Sequence, residues 1–113
     1  MTQNRNRQIK KLIGNLANVV VHAILLQATD DEDIKGWYKH EINNSLDIAK
    51  RCRATINPID RIFSCNGQDI IRTSVTREVV AVLKLREQKN YKNINFQKIG
   101  PTIEKYFKET NIV

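Results

Sequence analysis

The 113-residue sequence has few of the residues that build metal, redox and phosphate-loop sites: two cysteines, two histidines and four glycines. Cys52 and Cys65 are separated by twelve residues and form no C-x-x-C pair, which argues against a disulfide framework and a structural zinc site. Reduced thiols in a cytoplasmic protein are the simplest interpretation. The glycines are isolated, so the sequence contains neither of the common glycine-rich phosphate loops.

Long apolar runs are also missing. In the amino-terminal segment, the longest uninterrupted stretches are residues 19–21 and 23–26, far short of the roughly 18 residues that a membrane-spanning helix needs. The basic start followed by apolar residues resembles a signal peptide, but Asn15, Asn18 and His22 interrupt it and Leu26 fits poorly before a cleavage site. We therefore expect no membrane partner.

The usual catalytic constellations are absent as well. There is no H-E-x-x-H motif, and the adjacent pair His40-Glu41 points to different parts of a helix. One class of helical ribonucleases carries an arginine and a histidine with four to six residues between them, and the nearest spacing here is Lys35 to His40, with the wrong cation. An enzyme would need Glu41, a histidine and a cysteine to meet, and nothing predicts that. We expect a non-enzyme without cofactor, metal or small-molecule substrate.

What the sequence does have is positive charge. Its 19 Lys and Arg against 12 Asp and Glu give a formal charge of +7 and a pI near 9.7. Clustered cations bind nucleic acid because they displace the counterions condensed on its phosphates. Solubility through net charge is the simpler alternative.

The apolar pattern predicts a compact all-α bundle of four to five helices in a single domain over residues 1–113. Residues 1–8 are polar and read as a flexible basic arm. The longest periodic segment follows, and it predicts a central helix because apolar residues recur every three or four positions. These residues are Ile9, Leu12, Leu16, Val19, Ala23 and Leu26. A polar stripe on the same helix, which ends at His22, is expected at a solvent or interface edge.

The second predicted helix starts with a capping box, Thr29 and Glu32, and runs to about Arg53, where cations suit the helix dipole. Trp37 is predicted to anchor it in the core. Glu41 lies within its apolar arc, and Arg86 on a later helix is the expected ion-pair partner.

Asn57-Pro58 ends the second helix, and a short helical turn is predicted over residues 58–63. Residues 62–72, around Asn66-Gly67, could form a hairpin or a helix-to-helix connection, and poor alternation favours the connection. A third helix is predicted over residues 74–89. A final helical region, interrupted by Gly100-Pro101, shares one apolar face. That face consists of Phe96, Ile99, Ile103, Tyr106 and Phe107.

Two functions fit these features. The first is a non-catalytic nucleic-acid-binding or nucleoprotein-assembly protein that contacts phosphates through cations sharing one face, with the choice between DNA and RNA left open. The predicted cations are Arg5, Arg7, Lys10, Lys11, Arg77, Lys84, Lys89 and Lys92. The alternative is a protein-interaction module, such as a dimeric adaptor, that uses surplus apolar surface of the first or last helix.

Overall fold

A computed structural model describes residues 2–59 and 61–113, with side chains from residue 5 onward. These residues form four α-helices and no strand, which confirms the all-α prediction. The helices are α1 (Thr2–Ala28), α2 (Glu32–Thr55), α3 (Cys65–Gln88) and α4 (Ile99–Glu109), and a short 3-10 helix (Phe96–Lys98) precedes α4.

The amino-terminal residues belong to the first helix. α1 begins at Thr2, so residues 2–8 are helical where a flexible arm was predicted. No proline precedes residue 58 and no glycine precedes Gly14, so no residue in this stretch breaks the helix before the apolar run begins. The basic residues of the predicted arm are therefore held on a rigid surface.

Each of the other three helices packs against α1, whereas α2 and α3 make few contacts with each other. α2 runs antiparallel to α1, since the Asn18 side chain donates to Ser45 Oγ and the His22 ring lies beside Tyr38. Three residues of the predicted periodic set on α1 are fully buried at the centre of the core: Leu12, Leu16 and Val19. The other three, Ile9, Ala23 and Leu26, are half-buried and pack against it.

The start of α2 differs from the predicted capping box. Asp31 is the N-cap, and its carboxylate accepts from the backbone N–H groups of Asp33 and Ile34 at 2.9 and 3.2 Å. Thr29 instead accepts from the N–H of Asp31 at 3.2 Å. Aspartate is as good a cap as threonine, and here it stands two residues closer to the first helical residue.

Trp37 is exposed and His22 is buried, which is the reverse of what the sequence predicted. Trp37 is 54% exposed, and its ring packs edge-on against His22 at 5.7 Å between centroids. His22 is 5% exposed because Trp37 and Tyr38 cover it, and its Nδ1 lies 2.7 Å from the carbonyl of Asn18. A carbonyl can only accept, so Nδ1 carries the proton. The predictions of a core tryptophan and an edge histidine were wrong.

The connection between α2 and α3 contains no helical turn among its described residues, contrary to the prediction over residues 58–63. α3 starts at Cys65, nine residues earlier than predicted, so Asn66-Gly67 lies in its first turn and the chain forms a helix-to-helix connection. Ser64 explains the early start, because its hydroxyl accepts from the N–H of Gly67 at 3.1 Å and caps the helix.

The third and fourth helices are joined by an ion pair that was not predicted. The Arg72 guanidinium donates to both carboxylate oxygens of Glu104, at 2.7 and 3.0 Å. The predicted pair of Glu41 with Arg86 does not occur among the described ion pairs. The predicted apolar face of α4 is buried at Ile99, Ile103, Tyr106 and Phe107.

By length and composition alone, one segment resembles a membrane span. Residues Arg5–Ala28 of α1 have a mean hydropathy of 1.5 over their most apolar window, half of which is buried against the rest of the chain. The core helix of a globular domain has the same composition, because it must be apolar on every side that another helix covers.

Candidate nucleic-acid interface

Four exposed cations surround two adjoining recesses near the amino-terminal end of α1. Arg7, Lys10 and Lys11 line one recess of about 420 Å³. Lys10 also lines the neighbouring recess of about 360 Å³, together with Arg77 of α3. The spacing of three and four residues places the α1 cations on one side of the helix. We call Arg7, Lys10, Lys11 and Arg77 the amino-terminal patch.

The patch carries more positive than negative charge. Among the described residues, none of its four cations lies within 4.0 Å of a carboxylate oxygen. Glu78 is the acidic residue that lines a recess with them. Because all four cations are exposed and none forms an ion pair with another described residue, their charged groups can turn toward an approaching phosphate.

Arg5 lies elsewhere. On an α-helix, two residues two positions apart are separated by about 200°, so Arg5 faces away from Arg7. It lines a separate recess of about 270 Å³ with Arg53 and Arg61. The structure therefore separates Arg5 from the other cations of the predicted arm.

The three remaining predicted cations lie toward the other end of α3. Lys84 is exposed and stands seven residues after Arg77, on the same stripe and about 10 Å further along the axis. Lys89 is the C-cap of α3, and Lys92 is exposed in the following loop. The eight predicted cations thus occupy three places, and the amino-terminal patch is the one where two helices bring several together.

The hydrogen bonds of Arg53 were not predicted from the sequence, which indicated only that a cation at this end of α2 suits the helix dipole. Arg53 is 4% exposed, and its guanidinium donates to the carbonyls of Asn111, Ile56 and Pro58 at 3.0, 3.2 and 3.3 Å. It also donates to the carbonyl of Arg61. Burial lowers the pKa of Arg53, and the nearby charge of Arg5 lowers it further. No periodicity could have indicated these partners, since they are backbone atoms of a loop and of the chain end.

The residues considered for catalysis do not form a site. His22 is buried under Trp37 and Tyr38, whereas His40 is exposed on α2. Cys52 is buried and Cys65 is exposed at the start of α3. Across the described part of the chain, no three His, Cys, Asp or Glu side chains are grouped so that they could hold a metal ion.

An aromatic cluster lies at the opposite end of α1 from the patch. The Tyr38 and Tyr91 hydroxyls are 3.0 Å apart, and Tyr38 also contacts the rings of His22 and Trp37. Burial and the bond to Tyr38 raise the pKa of Tyr91 to about 12. Tyr91 therefore stays neutral near pH 7, and its bond with Tyr38 joins α2 to the loop after α3.

Comparison with known proteins adds no further constraint: no protein-family model, curated protein or solved structure matches the chain.

Proposed function

We propose that the protein binds nucleic acid through phosphate contacts of the amino-terminal patch and carries out no catalysis. The supporting observation is that Lys10 lines recesses with cations of both α1 and α3. Phosphate contacts of this kind position a protein on a polynucleotide without reading its bases. A cytoplasmic location belongs to the same proposal.

The size of the patch sets the expected salt dependence. If all four cations neutralise phosphates, the logarithm of the binding constant should fall with the logarithm of salt concentration with a slope of about −3.6 on duplex DNA and about −2.8 on a single strand. Lys84 extends the patch along α3 and would steepen the slope by about one further phosphate.

The test is fluorescence anisotropy with labelled duplex DNA, single-stranded DNA and RNA at several salt concentrations. We expect the triple variant Arg7→Gln, Lys10→Gln, Lys11→Gln to bind at least tenfold more weakly. Its salt slope should be shallower by the contribution of about three phosphate contacts. The nucleic acid that the wild type binds most tightly identifies the substrate class.

Two variants with the same loss of charge make the test specific. Lys98→Gln, Lys105→Gln, Lys108→Gln removes three cations of the 3-10 helix and α4, and should leave most of the affinity intact. Lys84→Gln, Lys89→Gln, Lys92→Gln measures the contribution of the other end of α3. Equal losses in all three variants would show that only the net charge matters and would contradict an interface at the patch.

A homodimeric interaction module is the second candidate, and the exposed apolar residues of α2 favour it. Ile34, Trp37 and Ile48 are 40, 54 and 37% exposed and lie along one side of the helix. The large exposed hydrophobic residues of the described chain are on α2, α3 and the connection between them, rather than on the first or last helix as expected. Self-association that nucleic acid does not alter would distinguish this function from the first.

A further inference from the structure

Three arginines from three separate segments meet at the recess beside the start of α3. Arg5 comes from α1, Arg53 from α2 and Arg61 from the connection, and Ser64 and Gly67 complete the lining. The recess measures about 270 Å³. It is several times larger than the roughly 30 Å³ that one water molecule occupies in the liquid, so it can admit a polyatomic ion.

Arg53 is fixed in place at this recess. Its Nε and Nη1 groups donate to three carbonyl oxygens at 3.0 to 3.3 Å, and Nη2 donates to the carbonyl of Arg61. The face of its guanidinium lies 4.5 Å from the centroid of the Phe63 ring. A guanidinium has five N–H groups, and these four bonds leave one of the two on Nη2. These contacts hold the positive charge of Arg53 at the recess.

Among the described residues, the hydrogen-bond partners of Arg53 carry no negative charge. All four of its acceptors are neutral backbone carbonyls. Within residues 5–59 and 61–113, no carboxylate oxygen lies within 4.0 Å of Arg5, Arg53 or Arg61. The lowered pKa of Arg53 reflects the same situation, because burial and the charge of Arg5 both disfavour its cationic form. An anion in the recess would relieve this repulsion.

The start of α3 adds to the positive potential. This helix is 24 residues long, and its N-cap Ser64 and first-turn residue Gly67 both line the recess. The amino-terminal end of a helix carries a partial positive charge that favours anions. The three guanidinium groups and the helix end therefore all favour an anion in the recess.

We infer that the recess formed by Arg5, Arg53 and Arg61 binds a phosphate group. A phosphate monoester or inorganic phosphate carries between one and two negative charges near pH 7, and its oxygens match the planar donor pairs of arginine. Arg5 and Arg61 are exposed and can close on the ion, while Arg53 offers a fixed charge at the wall. The site faces away from the amino-terminal patch and does not depend on it.

The test titrates inorganic phosphate into the protein at constant ionic strength, with chloride as the balancing anion, and follows the melting temperature and the NMR signal of Arg53 Nε. We expect a dissociation constant of about 1 mM or below, which at 10 mM phosphate gives a rise of several degrees in melting temperature. Arg61→Gln and Arg5→Gln should each weaken binding about tenfold. Arg51→Gln, which removes an exposed arginine on the other side of α2, should leave binding unchanged.

Four outcomes decide the inference. An equal response to acetate, or an unchanged response in Arg61→Gln, would overturn a phosphate site, as would the absence of any response in the wild type. A response lost in Arg61→Gln and kept in Arg51→Gln would support it. Competition between phosphate and oligonucleotides with and without a 5′-phosphate then distinguishes a nucleic-acid terminus from free phosphate as the ligand.

The two proposals can fail separately. The variant Arg7→Gln, Lys10→Gln, Lys11→Gln keeps all three arginines of the recess and should retain the phosphate response. If it loses nucleic-acid binding but keeps that response, both proposals stand. If phosphate binds the wild type while nucleic acid does not, only the proposed function fails.

Discussion

Replacing Arg53 by methionine should destabilise the protein strongly, although no acidic partner among the described residues is lost. Methionine has a similar length and no donor, so the change leaves the carbonyl of Ile56, in the buried part of the network, without its partner. The other three carbonyls are partly buried and can be reached by water. An unsatisfied buried acceptor costs about 1–3 kcal/mol, and the hydrated ones cost less.

Removal of a buried charge offsets part of this cost, because the methionine side chain needs no hydration. We expect a net loss of about 2–4 kcal/mol in the free energy of unfolding, which for a domain of this size lowers the melting temperature by roughly 8–16 °C. Equilibrium urea unfolding measures the change, and the slope with denaturant should stay constant because the same surface is exposed on unfolding.

Arg51→Met is the matched control. Its guanidinium is 75% exposed and pairs with Asp47 on the same helix, so its loss should cost less than about 0.5 kcal/mol. The reasoning would be refuted if Arg53→Met cost less than about 1 kcal/mol, since the four carbonyls would then be equally well satisfied by water.

Two further predictions concern the aromatic cluster. Because the folded state holds the Tyr91 proton up to a pKa of about 12 and the unfolded chain releases it near 10.0, stability should fall as pH rises between these values, and Tyr91→Phe should flatten that decline in urea melts. Trp37→Ser should cost about 2 kcal/mol, because somewhat less than half of the side chain is buried, whereas a core aromatic costs about three or more. In sedimentation velocity, the same variant should abolish concentration-dependent association if α2 forms a dimer interface, and an unchanged profile would count against that surface.

Much of the fold was predictable because helical periodicity reports burial directly. The spacing of Leu12, Leu16 and Val19 indicated the face of α1 that the other helices cover, and the length of the segment around Val79 favoured a helix over a strand. The boundaries were harder to predict. Asn66-Gly67 is typical of a turn, but the hydroxyl of Ser64 caps a helix that includes both residues. α3 therefore starts nine residues earlier than predicted.

The environments of single side chains were less predictable, because a broad apolar arc does not show which of its edges meets a neighbour. Trp37 lies at the outer edge of the arc of α2 and shields His22, which the polar stripe of α1 suggested would be at the surface. Arg53 depends on the carbonyl of Asn111, a partner 58 residues away. Such a contact leaves no local pattern.

The order of the helices along the chain has a consequence for biosynthesis. The ribosome completes the apolar helix α1 before any of the segments that cover it, and α2 is the first partner to follow. During that interval the nascent chain presents an apolar helix of membrane-like composition, a surface that chaperones and targeting factors recognise. The short link between α1 and α2 lets the two helices pair early and limits the time of exposure.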